Sequence, residues 1–441
     1  MKGRFFARRV NTILQKGEGL CLSTAIGMVL GALHMELPAG DIVQVLIPKR
    51  QQSLFSDPAA IIRHALANPI DASLLGELAV PGERICLVVN DITRPTGSEI
   101  LVPFLVEELN RAGVPDGDIT IVFANGLHRP MERQEMEQVI GRELLARLRT
   151  VQHHAVTGEF VYRGRTSRGN AVYINREVAA ADRVILVGGI CLHHLAGYGG
   201  GGKSIVPGVA RAETILFNHR MVVDSGAAAG STTGNPVYAD LIEACTLVDP
   251  DFLCNVILDA EGQITAAVAG HWRTAHAAGC APVDKLYKVP LAERADLVIA
   301  GGGGFPRDID LRQSKKAYYN AARAVKPGGV IITIAACSRG ISREGDPFED
   351  WLRRYWTLAE IRTALVEEFS IGGLSAYRTR EVQARARLIL ISDIDPVRLS
   401  VLHVEAYGSH QLQQVIDRVR ADLGGNPRII LMPHAALTLP V

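Results

Sequence analysis

The chain has 441 residues, enough for two or three domains with substantial cores. Its 47 basic and 46 acidic residues leave a net charge of +1, which argues against a dedicated nucleic-acid-binding protein and against attraction to an anionic membrane. With 48% hydrophobic and 21% charged residues, the chain differs from disordered and low-complexity proteins. Its 43 glycines and 5% aromatic residues are typical of α/β enzymes, in which tight turns and backbone-lined pockets are frequent.

Residues 1–34 are predicted to be an N-terminal extension, either disordered or the product of a misassigned start codon. They begin with several basic residues and contain a 14-residue apolar run over residues 20–33. This run is shorter than the roughly 20 residues of a membrane-spanning helix, and no A-x-A cleavage site follows it. Met35 would be a more natural start. A secreted form is the alternative.

The seven cysteines indicate a reducing compartment. Their number is odd and they form no C-x-x-C pair. Several lie in apolar, strand-like runs, and we expect buried free thiols in a cytoplasmic protein.

Short β-branched runs alternate with amphipathic stretches along the rest of the chain. Strands are predicted over residues 85–90, 119–123, 184–190, 252–258, 297–300, 330–334, 388–392 and 429–432. Helices are predicted over residues 98–111, 133–148, 238–245, 272–280, 312–325, 358–367 and 411–423. Nearly continuous apolar strands separated by helices are typical of parallel sheets covered on both faces, so the predicted fold class is α/β.

The predicted architecture has two lobes, each with a mostly parallel sheet flanked by helices. A new glycine-terminated strand begins after residues 285–294, which divides the chain into an N-terminal domain, 35–288, and a C-terminal domain, 289–441. The last helix is free to pack back on the first domain. No internal repeat of fixed period is present in the sequence.

Polar residues follow the first two predicted strands directly. Asp91, Ile92, Thr93 and Arg94 come after the first strand, and His128 comes after the second. Because ligands bind beyond the carboxyl ends of strands in open α/β sheets, these side chains are candidates for one crevice. An Asp that caps a turn and a structural histidine are the alternative interpretation.

A glycine-rich segment follows the third strand. Residues 197–204 match the phosphate-loop pattern G-x-x-x-x-G-K-[ST], so a nucleotide-dependent enzyme is one alternative. Six residues separate this segment from the strand, however, and Pro207 falls where the helix of a phosphate loop would continue. Lys203 could instead be a point of covalent attachment, because an amine in a desolvated, glycine-lined pocket is nucleophilic. Residues 207–208 allow the chain to fold back, so His219 could reach the same ligand.

The second domain has its own candidate ligand site at a helix start. Asp308 or Asp310 is predicted to cap the helix, and Gln313 and Lys316 share one face of its first turns. Amide and ammonium donors near a helix N-terminus favour a carboxylate or phosphate, with a solvated helix face as the alternative.

Taken together, these motifs resemble the nickel-dependent lactate racemase family from about residue 36 to the C-terminus. The resemblance depends on several motifs in the family's order: Asp91-x-Thr93-Arg94-Pro95, Gly126-x-His128-Arg129, His193 ten residues before Lys203, Lys203-Ser204-x-x-Pro207-Gly208, Asn218-His219, Thr233-Gly234-Asn235 and Gln313-x-x-Lys316.

The resemblance implies a cofactor, the nickel pyridinium-3,5-bisthiocarboxylate mononucleotide, covalently attached to Lys203. It implies that His219 is the nickel ligand, which is chemically sensible for square-planar Ni(II). Residues 91–94 would bind the nucleotide portion of the cofactor, and Gln313 and Lys316 the substrate carboxylate.

The activity implied by the resemblance is racemisation or epimerisation of a 2-hydroxy acid in a cleft between the domains. The substrate hydride moves to the cofactor, His128 and His193 act as acid and base on opposite faces, and a planar 2-keto acid is the intermediate. The expected partners are this small-molecule substrate and the enzymes that make the cofactor, with no nucleic acid and no membrane.

Three positions depart from the family pattern: Gly199, Gly202 and Arg312. Arg312 matters most, because a guanidinium beside the substrate could pair with a second carboxylate or hydrogen-bond a polyol. The sequence therefore leaves open which 2-hydroxy acid is the substrate. A zinc hydrolase and a non-catalytic organic-acid binder are further alternatives, although the histidines lack the spacing of H-E-x-x-H.

Overall fold

The structure is a computed structural model that describes residues 13–16, 19–25, 32–49, 55, 57–94, 96–223, 226–305, 307–400 and 402–441. The chain divides into two compact units. Residues 50–286 form one, called here the central unit, and residues 1–49 with 287–441 form the other, the terminal unit.

In chain order, the described strands β1 to β21 are Ile13–Lys16, Gly19–Ala25, Ala32–Pro38, Ile42–Val45, Ile85–Asn90, Ile119–Ala124, Arg149–Gln152, Phe160–Arg165, Ala171–Asn175, Arg183–Gly189, Leu192–His193, Gly197–Tyr198, Phe252–Leu258, Ile264–Gly270, Lys288–Val289, Ala295–Gly301, Val325–Ile334, Arg387–Ile391, Glu405–Tyr407, Ile429–Met432 and Leu439–Pro440. The described α-helices α1 to α15 are Pro58–Ala67, Leu75–Leu78, Ser98–Arg111, Arg133–Ile140, Arg142–Arg147, Arg176–Ala180, Ala212–Arg220, Pro236–Thr246, Trp272–Tyr287, Leu311–Ala324, Phe348–Arg354, Leu358–Glu367, Ile371–Arg385, Pro396–Ser400 and Leu412–Asp422.

The central unit contains a six-stranded sheet in the order β14-β13-β10-β5-β6-β7. All neighbouring strands are parallel except β13 and β14, which pair antiparallel. Strand β5 is buried along nearly its whole length, as expected for a continuous apolar strand in the middle of a covered sheet. The helices on one face contribute leucines, isoleucines and valines to a core that includes Leu87, Leu105, Ile121 and Val187.

The terminal unit contains a second six-stranded sheet, in the order β19-β18-β17-β16-β20-β4, and all its strands are parallel. The predicted α/β class with two mostly parallel sheets is therefore confirmed. The edge strand β4 lies in this sheet, so residues 35–49, assigned above to the N-terminal domain, fold with the C-terminal part of the chain. The last helix, α15, packs in the same unit against Met35 and Leu37.

Part of the predicted N-terminal extension forms strands. Strands β1, β2 and β3 make an antiparallel sheet, with Leu14 opposite Cys21 and Cys21 opposite Glu36. Residues 13–16 and 19–25 of the predicted extension are therefore strands, and its origin from a misassigned start codon stays a prediction. The other residues of 1–31 lie outside the described part of the chain.

Most predicted element boundaries lie within a few residues of those in the structure. The helix predicted over residues 133–148 is divided into α4 and α5 at Gly141, whose φ of +84° is incompatible with a continuous helix. The antiparallel hairpin of β8 and β9 and the helix α13 were not predicted.

The cysteine prediction is correct for most described thiols. The six cysteines with described side chains are free, and Cys86, Cys245, Cys254 and Cys337 are buried. Cys191 is exposed, so the expectation of burial is wrong there. Within the described residues, no helix is both long and apolar enough to span a membrane.

Candidate active site

The candidate site lies at the carboxyl ends of three adjacent strands of the central unit. β5 is flanked by β10 and β6, and all three run parallel, so the segments that follow them begin at one edge of the sheet. The turn after β6 also contacts the loop that carries the lysine: the Gly126 amide donates to Gly208 O at 2.9 Å, and the Gly208 amide donates to Lys203 O at 3.0 Å. The sequence motifs at these three strand ends therefore meet.

His128 is supported by the carboxylate of Asp91. Its Nδ1 lies 2.6 Å from Asp91 Oδ2, and the Thr93 hydroxyl donates to Asp91 Oδ1 at 2.7 Å. Asp91 is 2% exposed. Burial by itself raises the pKa of this carboxyl, but the hydrogen bond and charge of His128, the charge of Arg94 and the Thr93 hydrogen bond outweigh it and lower the pKa. The ionised carboxylate holds the proton of His128 on Nδ1, which leaves Nε2 with a free lone pair.

His193 has the opposite arrangement. Its Nδ1 accepts hydrogen bonds from the backbone amides of Leu195, at 3.3 Å, and Ala196, at 3.2 Å. A nitrogen that accepts from two N–H groups carries no proton, so the proton of the neutral ring is on Nε2. Burial and then the charge of Lys203 lower the pKa of His193 well below its ordinary value, and the ring is neutral at pH 7.

Lys203 lies in a short 3-10 helix, Gly201–Ser204, within a loop that is packed closely against the sheet. Asn255 Oδ1 accepts from the Gly201 amide at 2.9 Å, and His276 Nε2 donates to Gly199 O at 2.9 Å. A Cβ at Gly200 would lie 2.6 Å from Asn255 Oδ1. The glycine run is thus required by packing within the protein, in addition to lining the pocket predicted around Lys203.

The amine of Lys203 is strongly perturbed. Burial, with a smaller effect of the Arg94 charge, lowers its pKa to about 7. A large fraction of the amine is therefore uncharged and nucleophilic at neutral pH. The chain turns over residues 205–209 and helix α7 begins only at Ala212, so Lys203 is not at the start of an α-helix as it is in a phosphate loop.

His219 lies in the last turn of α7 and is 7% exposed. Burial and the charge of Lys203 lower its pKa to about 3, against a weaker opposing hydrogen bond with the Ile215 backbone. The charge of Lys203 thus acts on both His193 and His219, and the charge of Arg94 on both His193 and Lys203. The structure brings the predicted amine, guanidinium and imidazoles into one cluster.

One residue of the predicted set contributes differently. The side chain of Ile92, which was grouped with the cofactor-binding residues, packs against the hydrophobic core. Its backbone amide lies 3.2 Å from Met131 Sδ. Only its neighbours in the 91–94 segment present polar side chains to the site.

Two buried polar atoms beside the cluster suggest a further polar group. Asn125 Oδ1 and Ser204 Oγ have no hydrogen-bond partner, although Asn125 is 1% and Ser204 2% exposed. Buried polar atoms are rarely left unpaired, so the site fits a ligand with donors and acceptors of its own. The described residues contain no group of three His, Cys, Asp or Glu side chains arranged to hold a metal. A metal held mainly by an organic cofactor needs only one protein ligand.

The predicted substrate-binding residues lie in the terminal unit, at the start of α10. Asp310 caps this helix by accepting from the Gln313 amide at 2.6 Å. Arg312 Nε lies 3.0 Å from Asp346 Oδ2, which makes an ion pair but not a well-aligned hydrogen bond, so the guanidinium already lies beside a carboxylate. The pairing was not predictable, because Asp346 is distant in sequence and belongs to no recognisable motif.

The buried amine of this region is Lys315, which the sequence motifs did not predict. Its Nζ donates to Ser375 Oγ on α13 at 2.6 Å, and burial holds its pKa well below the ordinary value. Lys316, the predicted substrate ligand, is partly buried.

Comparisons with known proteins agree with the motifs. Residues 30–230 match the family model for the lactate racemase N-terminal domain, and residues 291–435 match that for the lactate racemase C-terminal domain. The lactate racemase of Thermoanaerobacterium thermosaccharolyticum is 35% identical over 296 residues, 66% of this chain and 68% of that protein. The lactate racemase of Lactiplantibacillus plantarum is 30% identical over 388 residues, 84% of this chain and 88% of that protein.

Solved structures show the same relationship. The lactate racemase apoprotein from T. thermosaccharolyticum matches with a TM-score of 0.88 at 27% identity, covering 96% of this chain and 100% of that one. A protein from Thermotoga maritima shares the fold, with a TM-score of 0.68 at 16% identity over 87% of this chain and 98% of that one. The predicted racemase class is thus confirmed, and the chain belongs to the lactate racemase family of isomerases.

Proposed function

We propose that this protein racemises lactate or a related 2-hydroxy acid with a nickel pyridinium-3,5-bisthiocarboxylate mononucleotide attached covalently to Lys203. The observation that carries the proposal is the cluster around Lys203, in which an amine with a pKa of about 7 lies among imidazoles that are kept neutral. The relatives named above are lactate racemases. Because the cofactor is made by separate enzymes, the reducing cytoplasm that produces it is the proposed location.

The residues of the cluster fit such a group. The neutral amine of Lys203 can condense with a thiocarboxylate to form a thioamide with loss of water, and the neutral imidazole of His219 can donate a lone pair to nickel. Arg94 supplies a charge for a phosphate, whereas the Thr93 hydroxyl is committed to Asp91. Asn125 Oδ1 and Ser204 Oγ, both without protein partners, are available to bind polar atoms of the cofactor.

A cofactor is needed because the Cα–H bond of a 2-hydroxy acid is far too weakly acidic for a side-chain base. The bound cofactor supplies a hydride acceptor. The residues of the chain would then handle the hydroxyl proton: Nε2 of His128 would accept it on one face, and His193, after taking up a proton from water, would donate one to the oxygen on the other face as an imidazolium. The planar 2-keto acid turns between these steps, and proton exchange with water restores the starting state.

Recognition of the substrate is proposed for the start of α10. Gln313 and Lys316 would bind the carboxylate that all 2-hydroxy acids share. Arg312, paired with Asp346 through Nε, would use its terminal nitrogens for a second polar group of the substrate. This favours a substrate with a carboxylate or hydroxyl group beyond C3 over lactate itself.

The test is the mass of the intact protein after production in cells that also express the cofactor-forming enzymes. Wild type should carry an adduct that maps to Lys203, and it should convert either enantiomer to a 1:1 mixture measured by chiral chromatography. Lys203→Arg keeps the positive charge and serves as the matched control, and it should show neither adduct nor activity. An unmodified wild type that racemises, or an active Lys203→Arg, would refute the proposal.

A further inference from the structure

A chain of buried hydrogen bonds leads from the carboxylate of Asp240 to the imidazole of His219. Asn218 Nδ2 donates to Asp240 Oδ2 at 2.9 Å, and Asn218 Oδ1 lies 3.1 Å from His219 Nδ1. Asn218 and Asp240 are both 0% exposed. Since water does not reach either side chain, the protein itself must satisfy every polar atom of the chain.

The hydrogen bonds determine which way the Asn218 amide points. Its Nδ2 faces two groups that can only accept, Asp240 Oδ2 at 2.9 Å and Val237 O at 3.0 Å. The amide nitrogen must therefore be on that side, and the amide oxygen must be on the side of His219. An oxygen accepts only from a protonated ring nitrogen, so the proton of the neutral imidazole is on Nδ1.

The lone pair of His219 is consequently on Nε2, away from the chain of hydrogen bonds. The hydrogen bond of the ring with the Ile215 backbone, one helical turn earlier, is consistent with this arrangement because a carbonyl also accepts. With Nδ1 committed inside the protein, Nε2 is the only ring nitrogen left for a metal. Histidines that bind metals commonly donate their second N–H to an oxygen, which fixes the tautomer and the ring orientation.

Asp240 is held in place by elements that belong to the central unit. It lies in α8, next to α7, which carries Asn218 and His219. Besides Asn218, it accepts from Thr166 Oγ1 at 2.6 Å and from Asn170 Nδ2 at 2.9 Å, both in the turn between β8 and β9. Three donors thus satisfy a fully buried carboxylate, which keeps a negative charge behind Asn218.

We propose that Asn218 and Asp240 are positioning residues that hold His219 as the Nδ1–H tautomer and direct Nε2 to nickel. The anionic end of the chain polarises the Asn218 amide and strengthens its acceptance from the imidazole, as a carboxylate does in metal sites where it contacts the histidine directly. The role in nickel binding rests on the proposed function, whereas the tautomer is a property of the protein without cofactor.

A purely structural role predicts a different result. Thr166 makes a shorter hydrogen bond to Asp240 than Asn218 does, yet it does not touch the imidazole. If the network served only stability, Thr166→Val and Asn218→Leu would affect His219 equally. If the network positions His219, only changes at Asn218 or Asp240 should alter the ring.

The first measurement is the tautomer of His219 in cofactor-free, 15N-labelled protein, from long-range proton–nitrogen NMR spectra at pH 7. Wild type and Thr166→Val should both show a proton on Nδ1. Asn218→Leu removes the oxygen that accepts the Nδ1 proton. Asp240→Asn replaces the carboxylate by an amide, so the Asn218 side chain can rotate and turn its Nδ2 toward the ring. Both variants should shift the proton toward Nε2. Thermal unfolding of each variant identifies those that fold. If Asn218→Leu does not fold, the tautomer is measured in Asp240→Asn, which preserves side-chain volume.

The second measurement is nickel retention by loaded protein during dialysis against a chelator. Asn218→Leu and Asp240→Asn should bind nickel about 10- to 100-fold more weakly than wild type, and Thr166→Val should match wild type. An unchanged tautomer in both folded variants would overturn this inference and leave the proposed function intact. A wild type without the Lys203 adduct would instead overturn the proposed function, and with it the role in nickel binding.

Discussion

The candidate sites of the two units differ in how their charged and titratable side chains are arranged. In the central unit, burial and neighbouring charges lower the pKa values of Lys203, His193 and His219, so that nitrogen bases are kept neutral. In the terminal unit, burial likewise lowers the pKa of Lys315, but the start of α10 also carries a guanidinium beside a carboxylate, the ion pair of Arg312 and Asp346. Neutral nitrogens suit bond formation and proton transfer, whereas paired charges suit recognition of charged groups. Changes in the central unit should therefore alter turnover, and changes in the terminal unit should alter substrate preference.

The largest effect is expected from the two histidines proposed as acid and base, His128 and His193. His128→Asn and His193→Asn should each lower the rate of racemisation by about 10²- to 10⁴-fold, because each removes acid–base assistance on one face. The measurement is kcat from each enantiomer, with the Lys203 adduct quantified by intact mass so that only loaded protein is compared. A loss of less than tenfold in either loaded variant would contradict the assigned role.

A smaller loss is expected for the carboxylate that supports His128. Asp91→Asn keeps the side-chain volume but can donate to Nδ1, which would move the ring proton to Nε2 and remove the free lone pair. We expect kcat to fall by about 100-fold, less than for loss of the ring itself. Thr93→Val removes the 2.7 Å hydrogen bond to the other carboxylate oxygen and is the matched control. Equal losses in the two variants would mean that Asp91 acts through its local turn and not through His128.

The sequence was sufficient to predict the groups that follow strands. Asp91 and His128 could be assigned to one crevice, because parallel strands place their carboxyl ends at one edge and each residue follows its strand directly. Their direct hydrogen bond was not predicted, although this geometry allows it. The resemblance to the family added Lys203 and His219. These residues come together through the loop between them, and hydrophobic periodicity does not predict the path of such a loop.

What the sequence could not predict depends on contacts between distant segments. The partners of Asp240 come from residues 166, 170 and 218, and each is an ordinary polar residue in sequence. The orientation of the Asn218 amide follows only from the two acceptors around it. In the same way, strand β4 has four residues, too few for a clear alternating pattern, and its place in the terminal unit is decided by its pairing with β20.

A third prediction concerns Lys203 in the protein without cofactor. Its pKa of about 7 means that the neutral, reactive form increases as the pH rises from 6 to 8, whereas an ordinary lysine needs a pH above about 10. Acetylation by acetic anhydride, measured by peptide mass spectrometry, should show a midpoint near pH 7. Arg94→Met should raise the midpoint and lower labelling at pH 7 by about tenfold or less, since burial is the larger cause. A midpoint near 10 in wild type would show that the amine is not desolvated.

The smallest effect is expected in the terminal unit, from Arg312→Tyr. Losing one charged hydrogen bond to a second carboxylate should change the preference for a 2-hydroxy dicarboxylic acid over lactate by about tenfold, in favour of lactate. The substitution would also leave Asp346, whose side chain is 3% accessible, without its closest cation, and an unpaired buried carboxylate is destabilising.

For that reason the informative protein is the double variant Arg312→Tyr with Asp346→Asn. The amide at position 346 keeps an oxygen that can accept from the Phe348 amide at the start of α11, as Asp346 does at 3.0 Å. Arg343→Gln is the matched control, because Arg343 lies 3.9 Å from the same carboxylate but outside α10. Preference is measured as the ratio of kcat/KM for the two acids. If the ratio shifts equally in Arg343→Gln, the effect comes from the general charge of the region. If kcat of the double variant falls strongly with both acids, the two units do not divide chemistry and recognition as proposed.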